Sequence, residues 1–236
     1  MSYTLLEIVR AASREMGLPS PNGVASAQDD RTQQLFYLVN ALGKELITAN
    51  EWQRLVTEYT FVTDGTDDYD LPSDFDRPSN RTQWDRSTNW AMRGPVTAET
   101  WQFLQSSDLA NGYPTIRWRI VGNEFRVFPT PASSLTYAYE YISNKWALSS
   151  TGVAQDAFLA DTDTCIYRDR LMVAGLKMMF YQAKGLDATR FEHDYAMALE
   201  QAIGQETGAP TLSLNGGGGQ HFRLLDDFNL PDTGYG

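Results

Sequence analysis

The groups in this chain that could do chemistry are few in kind: two histidines, one cysteine and 30 carboxylates. Glu192-His193 lies in a helical pattern, the setting in which a zinc peptidase holds its metal. Such a site needs two imidazoles one turn apart, facing the same ion. Four positions after His193 stands Met197, so the second ligand is missing. His221 stands alone near the end of the chain, and no zinc site is expected. Cys165 opens a predicted helix, where the dipole would favour a thiolate. A small residue starting a helix is the plainer reading. Asp64, Asp67, Asp68, Asp70, Asp74 and Asp76 crowd one stretch with a single cation, Arg77. A calcium loop spaces its ligands in the order D-x-[DN]-x-[DN]-G and closes on a glutamate. That order is absent, and Asp64-Gly65 reads as a solvated turn. The glycine run Gly216 to Gly219 neither follows a strand nor opens a helix, and it has no lysine for phosphate. It reads as a linker. Ser106-Ser107-Asp108 and Ser149-Ser150 lack the setting of a nucleophile elbow. No pair of carboxylates stands out as acid and base. No catalytic residue, cofactor or metal is therefore expected.

Composition narrows the class. The 236 residues suffice for one large domain or two small ones, and 42% hydrophobic with 21% charged residues suits a soluble globular fold. One cysteine excludes an internal disulfide. No apolar run reaches about 18 residues, so no membrane helix is expected. The N-terminus lacks the basic start of a secretory signal. A net charge of −11 argues against a sequence-specific DNA binder, which carries a basic patch. Aromatics make up 12%, with six Trp, and such residues fill cores or anchor interfaces.

The elements that would position these groups follow from periodicity. Residues 3–16 predict an amphipathic helix, with Leu5, Ile8, Val9, Ala12 and Met16 on one stripe. A second helix, capped by Asp29 or Asp30, runs to about Ala49. After Trp52 the period becomes two, and residues 56–63 predict a strand. Thr97 caps a short helix with Trp101 and Leu104 inward. Ile116, Trp118 and Ile120 alternate with Arg117 and Arg119, Gly122-Asn123 turns the chain, and Phe125 and Val127 return. Pro129 and Pro131 stop that strand. Leu135, Tyr137, Tyr139 and Tyr141 share one face of a third strand, and the three predict an antiparallel meander. Residues 147–164 read as a connecting arm. From about Ile166 the helical period returns. Lys184-Gly185 ends that helix, Asp187 caps another, and Leu186 is placed to staple Phe191.

The run WRIVGNEFRVFPTPA, followed by TYAYEYISNKW, resembles the head-to-tail adaptor proteins of tailed bacteriophages, the connector or tail tubular A-type proteins. The N-terminal helix pair, Trp52, the ADTDT turn at Ala160 to Thr164 and the two late helices extend the likeness over residues 1 to 205. The resemblance implies an α+β fold. A helical bundle domain (1–54 and 165–207) would hold an inserted antiparallel β-rich domain (55–164), and residues 208–236 would form an extended C-terminal arm. It implies a structural virion protein with no enzymatic activity, a homo-oligomeric ring of about twelve copies under the portal protein. That ring would bind downstream tail or nozzle proteins, pass double-stranded DNA without tight binding, and touch no membrane. It would sit at the capsid–tail neck after assembly in the host cytoplasm. Phe222, Leu224, Leu225 and Phe228 are the expected interface residues of the arm. Trp118, Phe125, Leu171 and Phe191 are the expected core. Two other classes stay open on residues alone: a carbohydrate-binding β module of a phage tail, and an unrecognised hydrolase.

Overall fold

The computed structural model describes residues 3–106 and 115–206. Helix α1 (Leu5–Glu15) starts at Thr4, whose hydroxyl accepts from the Glu7 N–H while the Glu7 carboxylate accepts from the Thr4 N–H. This reciprocal pair satisfies donors that a helix start leaves open. Asp29 starts α2 (Asp30–Ala49) by accepting from the Thr32 N–H and hydroxyl. A 3₁₀ turn, Gln53–Leu55, leads into β1 (Val56–Val62). Then come β2 (Asp68–Asp70), β3 (Phe75–Pro78), β4 (Trp84–Asp85), β5 (Trp90–Ala91) and helix α3 (Ala98–Ser106). Strands β6 (Arg117–Val121), β7 (Glu124–Phe128), β8 (Thr136–Ser143), β9 (Ala147–Leu148), β10 (Ala154–Gln155) and β11 (Thr164–Cys165) follow. Helices α4 (Asp169–Ala183) and α5 (Thr189–Glu206) end the described chain. The protein is α+β, and its sheets are antiparallel.

The expected meander is only half present. β6 and β7 do pair around Gly122, whose φ of 64° suits glycine in the turn. The second edge of β7 is taken by β2, however, and β8 belongs to another sheet. There β8 pairs with β1 over seven positions, from Val56↔Ile142 to Val62↔Thr136, and with β3 and β4 on its other edge. Pro129 and Pro131 bring no N–H to a ladder, so the chain leaves β7 and crosses to the facing sheet.

The two sheets enclose an aromatic core. Trp118 stacks on Phe125 at 5.3 Å between ring centroids, and Phe125 on Tyr139 at 4.9 Å. Tyr137, Tyr139 and Tyr141 all face this core from β8. Ile142, on the opposite face of the same strand, enters a second core built from the helices, together with Trp146 and Ala147 just beyond. β8 is therefore shared by both cores.

In the second core α4 is the centre. It packs on α1, α2 and α5 and buries nine of its residues, Leu171 and Met172 among them. Two glycines of this core sit against neighbours. A Cβ on Gly43 would overlap the Trp146 ring, and one on Gly175 would lie 2.7 Å from Leu42. Residues 147–164, expected as a connecting arm, hold two short strands and the start of a third and pack into the core. Phe158 is fully buried, and Asn40 accepts from its N–H. Asp161 accepts from the Val24 and Ala25 N–H groups, and Asp163 from those of Leu159 and Ala160. The small acidic residues of this stretch are caps for backbone donors, which periodicity cannot show. Met1–Glu206 is one compact unit. The expected arm, with Phe222, Leu224, Leu225 and Phe228, lies outside the described residues.

Candidate functional site

Several of the residues that could have done chemistry are used by the fold. His193 is exposed on α5, and its neighbour Glu192 accepts from Gln182 Nε2 at 2.9 Å. Cys165 does not open a helix. It lies in β11, 3% exposed, and its Sγ contacts the Tyr167 carbonyl at 3.7 Å, while α4 begins at Asp169. Burial pushes its thiol up to about 12, so a thiolate is not populated at neutral pH.

The aspartates of 64–76 disperse. Asp64 accepts from the Thr66 N–H and hydroxyl, Asp68 faces Arg126 at 3.1 Å, and Asp76 pairs with Arg77 at 2.8 Å. Asp74 accepts from the Tyr141 and Ser143 hydroxyls at 2.8 and 2.6 Å. Burial alone would raise the Asp74 carboxyl, but these two bonds outweigh it and hold the group below its ordinary value. Among the described residues no three His, Cys, Asp or Glu converge as a metal set.

The residues expected in the core divide. Trp118, Phe125 and Leu171 are each 1% exposed. Phe191 is only half-buried: in the first turn of α5 its ring packs 4.2 Å from Tyr181, at the edge of the helix pair. The staple is absent, since Leu186 is 56% exposed. Asp187 does cap the turn, accepting from the Thr189 N–H and hydroxyl.

Two concave surfaces stand out. A cleft of about 540 Å³ opens where α1, the 3₁₀ turn and the start of α4 meet. Arg54, Arg168 and Arg170 stand around it, with Glu15, Asp169 and Val173 also in its lining. Arg54 donates to the Ile166 carbonyl and faces Glu206 at 3.5 Å. Asp169 accepts from the Tyr3 N–H, and Glu15 takes the ammonium of the buried Lys177. Arg168 and Arg170 are exposed, and their side chains have no ion pair or hydrogen bond among the described residues. A second cleft of about 280 Å³ is lined by Glu58, Arg81, Trp84, Arg86 and Glu140, and there Arg86 already pairs with Glu58 at 2.8 Å. Neither cleft is lined by a histidine, cysteine or serine, so neither sets such a nucleophile against an imidazole base. Large apolar side chains also reach solvent singly, Tyr37, Val62, Phe103 and Leu159 among them.

Such a molecule offers surfaces for contact, and the family match agrees. The model of the SU10 adaptor protein family matches residues 3–217, which takes in both helix pairs and both cores. The chain belongs to the SU10 adaptor protein family. It is a phage structural protein of adaptor type, a virion component that works through contacts with other head and tail proteins. No curated protein matches it. No helix among the described residues is long and apolar enough to cross a membrane. For an SU10 adaptor, the arginine cleft is the feature that sequence reading passed over. Its signal was Arg168-Asp169-Arg170, two cations at a helix start in a chain poor in them.

Proposed function

We propose that this SU10-family adaptor is a connector of the tail tubular type, a ring of about twelve copies docked beneath the portal. The ring continues the DNA channel and presents the surface to which the tail or nozzle attaches. The observation that carries the reading is the family match over residues 3–217, because it covers every described element. The helical part (1–54 and 165–207) faces portal and channel, and the β-rich part (55–164) faces outward or towards the tail. The net charge of −11 per copy fits a channel that repels phosphate and lets duplex DNA slide without holding it. Residues 208–236 act as an arm onto a neighbour or the portal, with Phe222, Leu224, Leu225 and Phe228 as anchors. Assembly takes place in the host cytoplasm, by shape and burial rather than by a reaction.

The sugar-binding alternative gains nothing from Trp118, which is stacked inside the β core. A mass measurement on the chain, alone and mixed with its phage's portal, tests the proposal. The expected product is a portal complex carrying a full ring of this chain. A chain that stays monomeric in both samples contradicts it.

A further inference from the structure

We infer that the arginine cleft receives the acidic β1–β2 turn of a second copy of this chain, and that this contact repeats around the assembly. The inference rests on the ring reading above and names the surfaces that would build it. Of the three arginines of the cleft, Arg54 is engaged and Arg168 and Arg170 are left unused. These two line the cleft and are exposed, and their side chains bond to nothing among the described residues. Glu15 and Asp169 in the same lining are already engaged, by Lys177 and by the Tyr3 N–H.

The complementary surface is the turn after β1. With β2 it carries Asp64, Asp67, Asp68 and Asp70; Asp68 pairs with Arg126, which also feels the charge of Asp67. The side chains of Asp67 and Asp70 have no hydrogen bond or ion pair among the described residues. Val62, 63% exposed at the end of β1, adds an apolar contact beside them.

One copy cannot bring these two surfaces together. Arg54 lies just before β1 and Asp64 just after it, and the seven strand residues among those between, paired throughout with β8, are extended. At about 3.3 Å per residue the strand alone separates cleft and turn by roughly 20 Å. Each surface is thus left for a partner. Because they are two different patches, the contact is heterologous and propagates head to tail, closing into a ring when the rotation allows. A second copy fits this cleft better than nucleic acid does. The cleft offers two unengaged arginines, which a short turn with a few aspartates can satisfy, whereas a chain at −11 gives a long polyanion no extended basic track to follow. A chain at −11 also repels its neighbours, so its free cations matter most where copies touch.

The test is a charge swap on the full chain, read by native mass spectrometry and by particle counts on portal. Arg168→Glu with Arg170→Glu makes one variant, and Asp67→Lys with Asp70→Lys makes the other. All four positions lie outside the buried cores, and unchanged melting curves verify the fold. Each variant alone is expected to assemble at least tenfold less than the wild type. Their equimolar mixture recovers assembly, since alternating copies restore opposite charge at every contact. High salt weakens the wild-type assembly, because exposed charges are screened. The inference is overturned if either variant assembles as the wild type does, or if mixing restores nothing. Loss of DNA retention with intact rings in the arginine variant would likewise overturn it, by assigning the cleft to nucleic acid. A wild-type chain that never multimerises, even on portal, overturns the ring reading itself and this contact with it.

Discussion

Trp118 is 1% exposed and stacked on Phe125, so Trp118→Ala removes the end of an aromatic stack and leaves a cavity. A loss of about 3–5 kcal/mol is expected, seen as a sharp drop in melting temperature or soluble yield. Asp74 makes a different prediction. Its bonds from Ser143 and Tyr141 hold its carboxyl below the ordinary 3.8. A depressed folded-state pKa contributes stability above the unfolded value, and that stability is lost as pH falls through the folded value. Melting temperature is expected to hold from neutrality to about pH 4 and to fall below it. In Asp74→Asn it starts lower at pH 7 and declines less steeply below pH 4. Calorimetry from pH 7 to pH 2 compares the two slopes. Equal slopes would mean that Asp74 is not among the groups responsible.

At the level of elements, what was legible in the sequence is what is local. The caps at Asp29 and Asp187 and the turn at Gly122-Asn123 could be read because a cap or a tight turn is decided within a few residues. The partner of β8 could not. Tyr137, Tyr139 and Tyr141 announce a buried face, but alternation does not say whether Phe125 lies beside that face or across the core from it. Residues 147–164 misled for a related reason: Asp161 and Asp163 cap distant backbone donors, and Phe158 is a single aromatic with no period around it. The arginine cleft was equally hidden, since Arg54 and Arg168 meet only when the 3₁₀ turn comes beside α4. Gly43 shows the same dependence on packing. As an interior helical residue it looks replaceable, and alanine would even raise helix propensity. Its carbonyl, however, accepts from the Tyr167 hydroxyl, and its α-carbon lies against Trp146. Gly43→Ala should destabilise by roughly 1–3 kcal/mol through overpacking. Denaturant titration checks the sign: a more stable variant would show that the α2–Trp146 contact is looser than described.

On the scale of the whole molecule, the described residues belong to one compact unit with two cores joined through β8. Truncation after Gly208 is therefore expected to leave melting temperature nearly unchanged and to weaken attachment to portal or neighbours. A truncated chain that assembles as well as the full one would remove the arm from the account. The central claim is that an SU10-family adaptor of this build works as a ring on the portal. Electron microscopy of portal particles mixed with the purified chain tests it most directly. The account predicts a second ring, coaxial with the portal, around an open channel. Bare portals, or single copies scattered on their flanks, would contradict it.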